Sequence, residues 1–110
     1  MSMYADYLKE KTDDMIVETD KGFATYRYMN DGKSVYIIDI YILPHLRELG
    51  AASSIADLIV VGAKAKGCTE LIGTVVPSNK NSTDSLKVLL GYGMKLFSSS
   101  QDLIVFKKEL

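Results

Sequence analysis

Between Pro44 and Leu58 the chain reads PHLRELGAASSIADL, and these residue types in this order suit the holding of an anion. A strand-like apolar run ends at Pro44, and a helix then opens at Gly50-Ala51-Ala52-Ser53 with almost nothing in front of its first N–H groups. Those groups have no partner inside the helix, and the peptide dipoles make that end positive. An anionic ligand can satisfy them where a capping side chain does not. Gly50, Ala51 and Ala52 keep bulk away, so backbone amides can approach a phosphate, and Arg47 adds a cation. The plainer alternative is that Gly50 only turns the chain and Arg47 is solvated.

A second candidate for chemistry is Asp39, the one charge in VYIIDIYIL. A carboxylate among isoleucines is costly, and burial favours its neutral form, which makes it a more useful general base. The alternative is a structural Asp39 that pairs with Arg27 or a tyrosine hydroxyl. Glu70 is a second choice of base, expected to be solvated at a strand start. His45 falls in a loop and is expected to be exposed, and Cys68 reads as a small buried residue. Neither nucleotide motif is present: no Walker-type run occurs, and the GYG at Gly91–Gly93 lacks a third glycine and follows a helix.

The elements that must position these residues fit one domain over 1–110. The chain has 47% apolar and 25% charged residues and a formal net charge of -1, which argues for neither a nucleic-acid nor a membrane-surface partner. No apolar run is long enough to span a bilayer. A lone cysteine forms no internal disulfide and builds no zinc site, so no metal is expected, and the cytoplasm is the expected compartment. The first ten or so residues suit a short helix with Met3, Tyr4, Tyr7 and Leu8 on one side. MIVET, FATYRYM and VYIIDIYIL, separated by Asp-Lys-Gly and Asn-Asp-Gly, predict an antiparallel meander whose third strand is covered on both faces. Ala51, Ile55, Leu58, Ile59 and Gly62 give the helix one apolar face, and Gly67 stops it. TELIGTVV follows as a strand parallel to VYIIDIYIL, because a helix crosses between them. A second helix carries Leu86, Leu89, Leu90 and Gly93, and MKLFS and DLIVFKK close the chain as strands. The fold class is α/β (α+β): a mixed, mostly antiparallel sheet with a central parallel pair and helices on both faces.

Arg47-Glu48-Leu49-Gly50-Ala51-Ala52 matches the pattern Gln/Arg-x-x-Gly-x-Gly/Ala, and in this setting it resembles the acyl-CoA loop of the GNAT superfamily of N-acetyltransferases. SLKVLLGYGMK resembles that family's second signature, with Ser85 at the small position, Val88-Leu89 as the apolar-aromatic pair and Gly93-Met94 as its Gly-Phe. The resemblance runs from about Tyr36 to Leu110, with an N-terminal part that looks short for the family. It implies acetyl-CoA as cosubstrate and an amine as acceptor. Pantetheine would pair with the strand end at Ile40 and Ile42. The pyrophosphate would lie on the amides of Arg47, Glu48, Leu49, Gly50, Ala51, Ala52 and Ser53, and Asn81 or Asn79 would bond pantetheine.

Acyl transfer to an amine needs a proton acceptor, stabilisation of an oxyanion and a competent leaving group. Asp39 is the candidate base, and backbone N–H groups at Ile40 and Ile42 are candidate oxyanion donors. The family's usual acid, a tyrosine, is replaced by Leu89, which leaves Tyr92 as a weaker candidate acid. A CoA thiol, like a cysteine at a pKa of about 8.5, can leave as thiolate without one. The competing reading is a GNAT-fold module, weak or inactive in catalysis, that works through protein contacts. Exposed strand edges near the C-terminus also leave room for a homodimer.

Overall fold

The molecule is organised around the strand that the sequence marks as most apolar. In the computed structural model, residues 3–12, 14–47, 50–80 and 82–110 are described. In chain order they form α1 (Met3–Thr12), β1 (Met15–Glu18), β2 (Gly22–Met29), β3 (Ser34–Ile42), a 3-10 turn at Pro44–Leu46, α2 (Ala51–Ala65), β4 (Glu70–Val75), α3 (Ser82–Gly91), β5 (Lys95–Ser100) and β6 (Leu103–Glu109). Asn30 and Asp31 adopt φ of 55° and 57°, the left-handed values that a tight hairpin turn needs and that Asn and Asp tolerate best after glycine.

The strands form one six-stranded sheet in the order β1-β2-β3-β4-β6-β5. Among neighbours, only β3 and β4 are parallel, from Ser34↔Glu70 to Ile37↔Gly73. The fold class is therefore the expected mixed, mostly antiparallel sheet with a central parallel pair. The crossovers β3-α2-β4 and β4-α3-β5 step across the sheet in the same direction, so the right-handed rule puts both helices over one face. Side-chain alternation agrees. Leu71, Gly73 and Val75 of β4 are all buried on one side, with Leu71 in the core formed by Ile55, Ile59 and Ala63 of α2. Gly73 leaves room for Leu89 of α3, whose Cδ2 would lie 2.9 Å from a Cβ placed there. The helix α1 packs against β1, at the edge of the sheet.

Some side-chain expectations need correction. The buried stripe of α2 is Ala51, Ile55, Ala56, Ile59 and Ala63, while Leu58 is 52% exposed and Gly62 is exposed. Successive residues stand about 100° apart around a helix, so Leu58 falls at the margin of a stripe centred on Ile55 and Ile59. Likewise Leu90 turns outward on α3, while Leu86 and Leu89 pack on the core. The strand β3 is not covered on both faces: Val35 and Ile42 are buried, but Asp39 and Tyr41 are exposed. Met3, Tyr4 and Tyr7 of α1 are also exposed.

A polar pin crosses the seam between β3, β4 and β6. Asn30 Nδ2 donates to Ser34 Oγ (2.8 Å), Ser34 Oγ donates to Glu70 Oε2 (2.6 Å), and Lys107 Nζ lies 3.2 Å from Glu70 Oε1. The Ser34 hydroxyl, followed by Lys107, holds the Glu70 carboxyl below the usual carboxylate range, against the opposing effect of burial. Glu70 is thus held by two partners within the sheet and only partly exposed, where the sequence suggests a solvated carboxylate.

Two stability predictions follow from this packing. Gly73→Val places branched carbons against Leu89 and Met94 and should cost about 1–3 kcal/mol in chemical denaturation, as overpacking does. Glu70→Gln should lower stability by about 1 kcal/mol at pH 7, on the order of 4 °C in Tm. Because the folded-state pKa lies below the unfolded value, the contribution of Glu70 is present above that unfolded value, about 4.3, and is lost as pH falls through the folded one. The gap between variant and wild type should therefore close in melts below about pH 4.

Candidate active site

The site arises where two hydrogen-bonded strands separate. The pairing of β3 with β4 ends at Ile37↔Gly73, yet β3 continues to Ile42 and β4 to Val75. Each of them stays paired on its other side, β3 with β2 and β4 with β6, so neither can bend back to its former neighbour. A bulge opens the gap: Tyr26 faces Ile37 while Thr25 faces Asp39, so Ile38 is an extra residue on β3. Bulges bend the strand that carries them and sharpen its twist. The resulting cleft has a volume of about 1020 Å³ and runs between the splayed strands and the facing parts of α2 and α3.

Backbone direction along the free edge is set by alternation. The Leu43 N–H donates to Lys21 O at 2.9 Å, on the β2 side. The N–H and C=O groups of Ile42, and of Ile40 two residues earlier, therefore turn toward the cleft. Their side chains belong to the core, Ile42 buried and Ile40 partly buried. Asp39 and Tyr41 alternate with them and point their side chains to the opposite face of the sheet.

The loop that leaves β3 brings Arg47 back over the strand end. Its Nε donates to Ile42 O at 3.0 Å, and its guanidinium lies 5.6 Å from the Tyr41 ring centroid. Tyr41 in turn stacks on Phe23 at 5.6 Å. A guanidinium has five N–H donors, so Nε binding to the strand leaves four outside that bond, and Arg47 lines the cleft. Gly50 precedes α2 with φ 74°, a left-handed value that glycine adopts without strain, and makes no side-chain cap. The first bond of the helix is Ser54 N–H to Gly50 O, at 3.1 Å. Ala52 and Ser53 of the same turn line the cleft. Among the described residues no side chain caps this helix start, which lies at the mouth of the cleft. Glu48, Leu49 and Asn81 lie outside the described residues. Asn79 lines the cleft from the β4-α3 loop.

Asp39 lines the cleft but is exposed, and Arg27 pairs with Asp14 instead of with it. The expected buried carboxylate is thus replaced by one at the open face, because the bulge at Ile38 shifts the alternation of β3. Leu89 lines the cleft and packs on Gly73, with no polar atom to offer. The Tyr92 hydroxyl donates to Asp57 Oδ1 at 2.6 Å. Burial first, then Asp57, pushes its ionisation well above the ordinary tyrosine value, so its proton is committed to Asp57. His45 is exposed and lines the mouth, and Cys68 is buried with Sγ 3.2 Å from Gly32 O.

Two features escaped sequence reasoning. Tyr36 Oη and Thr74 Oγ1 lie 2.9 Å apart, a hydroxyl pair that spans the seam where the strands part, with Thr74 lining the cleft. Only the phase of alternation on the two strands could have signalled it. Asp57 reads as a solvated helix residue until the fold brings Tyr92 beside it. Among the described residues no group of His, Cys, Asp and Glu could hold a metal ion.

Comparison with known proteins gives this geometry its context. The profile of the Acetyltransferase (GNAT) family matches residues 6–92. The chain is 36% identical over 58 residues to a thialysine N-epsilon-acetyltransferase of Bos taurus, and 31% identical over 71 residues to that of Sus scrofa. These matches cover 53% and 62% of this chain but only 34% and 42% of the relatives, so the matched stretch spans less than half of their length. The PaiA N-acetyltransferase of Thermoplasma acidophilum, solved in complex with coenzyme A, superposes with a TM-score of 0.76 at 13% identity, over 98% of this chain and 69% of that one. An IAA acetyltransferase of Bacillus cereus superposes with a TM-score of 0.71 at 17% identity, over 88% of this chain and 78% of the other. At such identities the superpositions speak for the fold, whereas the profile match covers most of the sequence, and on it the chain belongs to the GNAT acetyltransferase family.

Proposed function

We propose that the protein is an acetyl-CoA-dependent N-acetyltransferase whose cleft between β3 and β4 holds the cosubstrate. The observation that carries this reading is the conjunction at one cleft mouth of an uncapped helix start, a free strand edge and an arginine. The coenzyme A complex of the PaiA neighbour and the acetyltransferase names of the curated relatives support it.

The chain's residues divide the work as follows. The amides of Ala51, Ala52 and Ser53 and the outer N–H groups of Arg47 hold the pyrophosphate, aided by the positive end of α2. The inward N–H and C=O groups of Ile40 and Ile42 pair with the pantetheine amides as an added strand would, once Arg47 Nε releases Ile42 O. The N–H of Ile40 also faces the oxygen on which negative charge develops. When bound, acetyl-CoA supplies an activated acetyl carbon and a thiolate leaving group. The amine nitrogen bonds to that carbon as the carbon–sulfur bond breaks, and the proton the amine loses passes to Asp39, directly or through water. Solvated at the open face, Asp39 also attracts an acceptor that arrives as an ammonium ion. No tyrosine acid is required, because a thiol of pKa about 8.5 leaves as the anion near neutral pH. The acceptor is an amine, and the curated relatives make thialysine the first to try.

Thermal unfolding with acetyl-CoA, CoA and ATP tests the cofactor site. Acetyl-CoA at a hundred times its Kd should add about 2.7 kcal/mol and raise Tm by several degrees, CoA should act similarly, and ATP should not. Ala52→Glu, which sets a carboxylate against the phosphates, should abolish the shift, and Arg47→Glu should weaken it at least tenfold in ligand concentration. No shift at millimolar acetyl-CoA would sink the enzyme reading and leave a GNAT-fold module that acts through protein contacts. In a thiol-release assay with an accepted amine, Asp39→Asn should lower kcat/KM by about 10²-fold, at the low end for a general base because the site is solvated. An unchanged rate would remove Asp39 from the proton path.

A further inference from the structure

The strands beneath α2 and α3 fix their separation only in part. The helix α2 packs chiefly on β1, β2 and β3, with Leu71 of β4 in the same core, and α3 packs on β4. Since β3 and β4 stop pairing at Ile37↔Gly73, the two helices ride on sheet halves that diverge along the cleft. Among the described residues one side-chain hydrogen bond joins them. Tyr92, in the turn that follows α3, donates its hydroxyl to Asp57 Oδ1 in the middle of α2 at 2.6 Å.

The Tyr92 ring is held from a second side as well. Lys108 Nζ of β6 donates to Tyr92 O at 2.9 Å and lies 4.5 Å from the ring centroid. The turn itself is secured where the Tyr92 N–H donates to Val88 O, the Gly93 N–H to Leu90 O and the Met94 N–H to Leu89 O. Gly93, at φ 87°, lets the chain double back into β5. Tyr92 is thus anchored to α3 and β6, and its hydroxyl reaches across to α2. On α2, Ser53 and Ala56 face the cleft just before Asp57, and Tyr92 lines the same cleft from the other side. At 1.5 Å per residue, Asp57 lies about 9 Å along the helix from the first-turn amides.

We propose that Tyr92 and Asp57 are positioning residues whose hydrogen bond sets the width of the slot between α2 and α3 and so the affinity for CoA. This rests on the functional reading above and assigns Tyr92 a role other than proton donor to the leaving thiolate. Tyr92 meets the geometric need: it is held at its backbone in the turn after α3 and its hydroxyl faces an acceptor on α2. The rise in its ionisation keeps the hydroxyl a donor.

The test is calorimetric titration of the intact chain with CoA, together with melts of each unliganded variant. Tyr92→Phe and Asp57→Ala should each weaken CoA about tenfold, while Tm of the unliganded protein falls by no more than about 3 °C. The double variant should bind no worse than either single one, because both remove the same contact. Asp57→Asn, which retains an acceptor oxygen, should recover most of the affinity lost in Asp57→Ala. Wild-type affinity in Tyr92→Phe would overturn the inference, as would additive losses in the double variant. Unchanged CoA affinity with lost turnover of acetyl-CoA and thialysine would assign the hydroxyl to the reacting atoms instead. If the wild-type chain fails to bind CoA, the functional reading falls and takes this inference with it. If wild type and Tyr92→Phe bind alike, only this inference falls.

Discussion

The structure depends on a hydrogen-bond ladder that stops early. Parallel pairing between β3 and β4 lasts from Ser34↔Glu70 to Ile37↔Gly73 and then ends, although both strands continue. Exposed backbone groups in the middle of a sheet are normally paired away. Here they remain available because each strand is held on its outer side, β3 by β2 and β4 by β6, and because the extra residue at Ile38 bends β3. The seam is firm on the closed side, where Ser34, Glu70 and Lys107 pin it, and splits on the other. A sheet that is rigid at one end and forked at the other leaves backbone groups open along its edge with no change in strand pairing, and at Ile42 O the Arg47 side chain takes the place of a strand partner.

The fork also explains the placement of the helices. Both crossovers are right-handed and step the same way, so α2 and α3 share a face, and their N-termini open toward the cleft. The positive end of α2 therefore lies beside the free edge of β3, with Arg47 bridging the two through Ile42 O. Strand edge, helix dipole and guanidinium thus converge on one mouth because a single loop, the one that leaves β3, connects all three. The opposite face carries Asp39, Tyr41 and Phe23, with the two rings stacked and all three residues lining the cleft.

Much of this was legible along the chain. The order of elements followed from Asn-Asp-Gly between two strands, from Gly67 ending a helix and from the alternation in TELIGTVV, because these are local preferences that tertiary packing did not overrule. The pattern that suggests anion binding at Arg47–Ser53 is also local, since it rests on neighbouring small residues and an absence of capping side chains in the sequence. Burial was read less well. Leu58 and Leu90 are apolar and exposed, and a helical pattern cannot say where its margin falls when the neighbouring sheet is splayed.

Sequence alone suffices for the order of secondary elements and the parallel crossover, because each depends on residues close together in the chain. What tertiary structure decided is where side chains point once strands pair. Asp39 reads as a buried base in the sequence, but a single extra residue in β3 turns it to the open face, and no local pattern announces a bulge. The hydroxyls of Tyr36 and Thr74, 38 positions apart, meet only because the β3–β4 register brings them together. Tyr92 and Asp57, 35 positions apart, meet only because two crossovers share one face. Register and handedness are properties of the assembled sheet, so contacts that depend on them exist only in the folded chain.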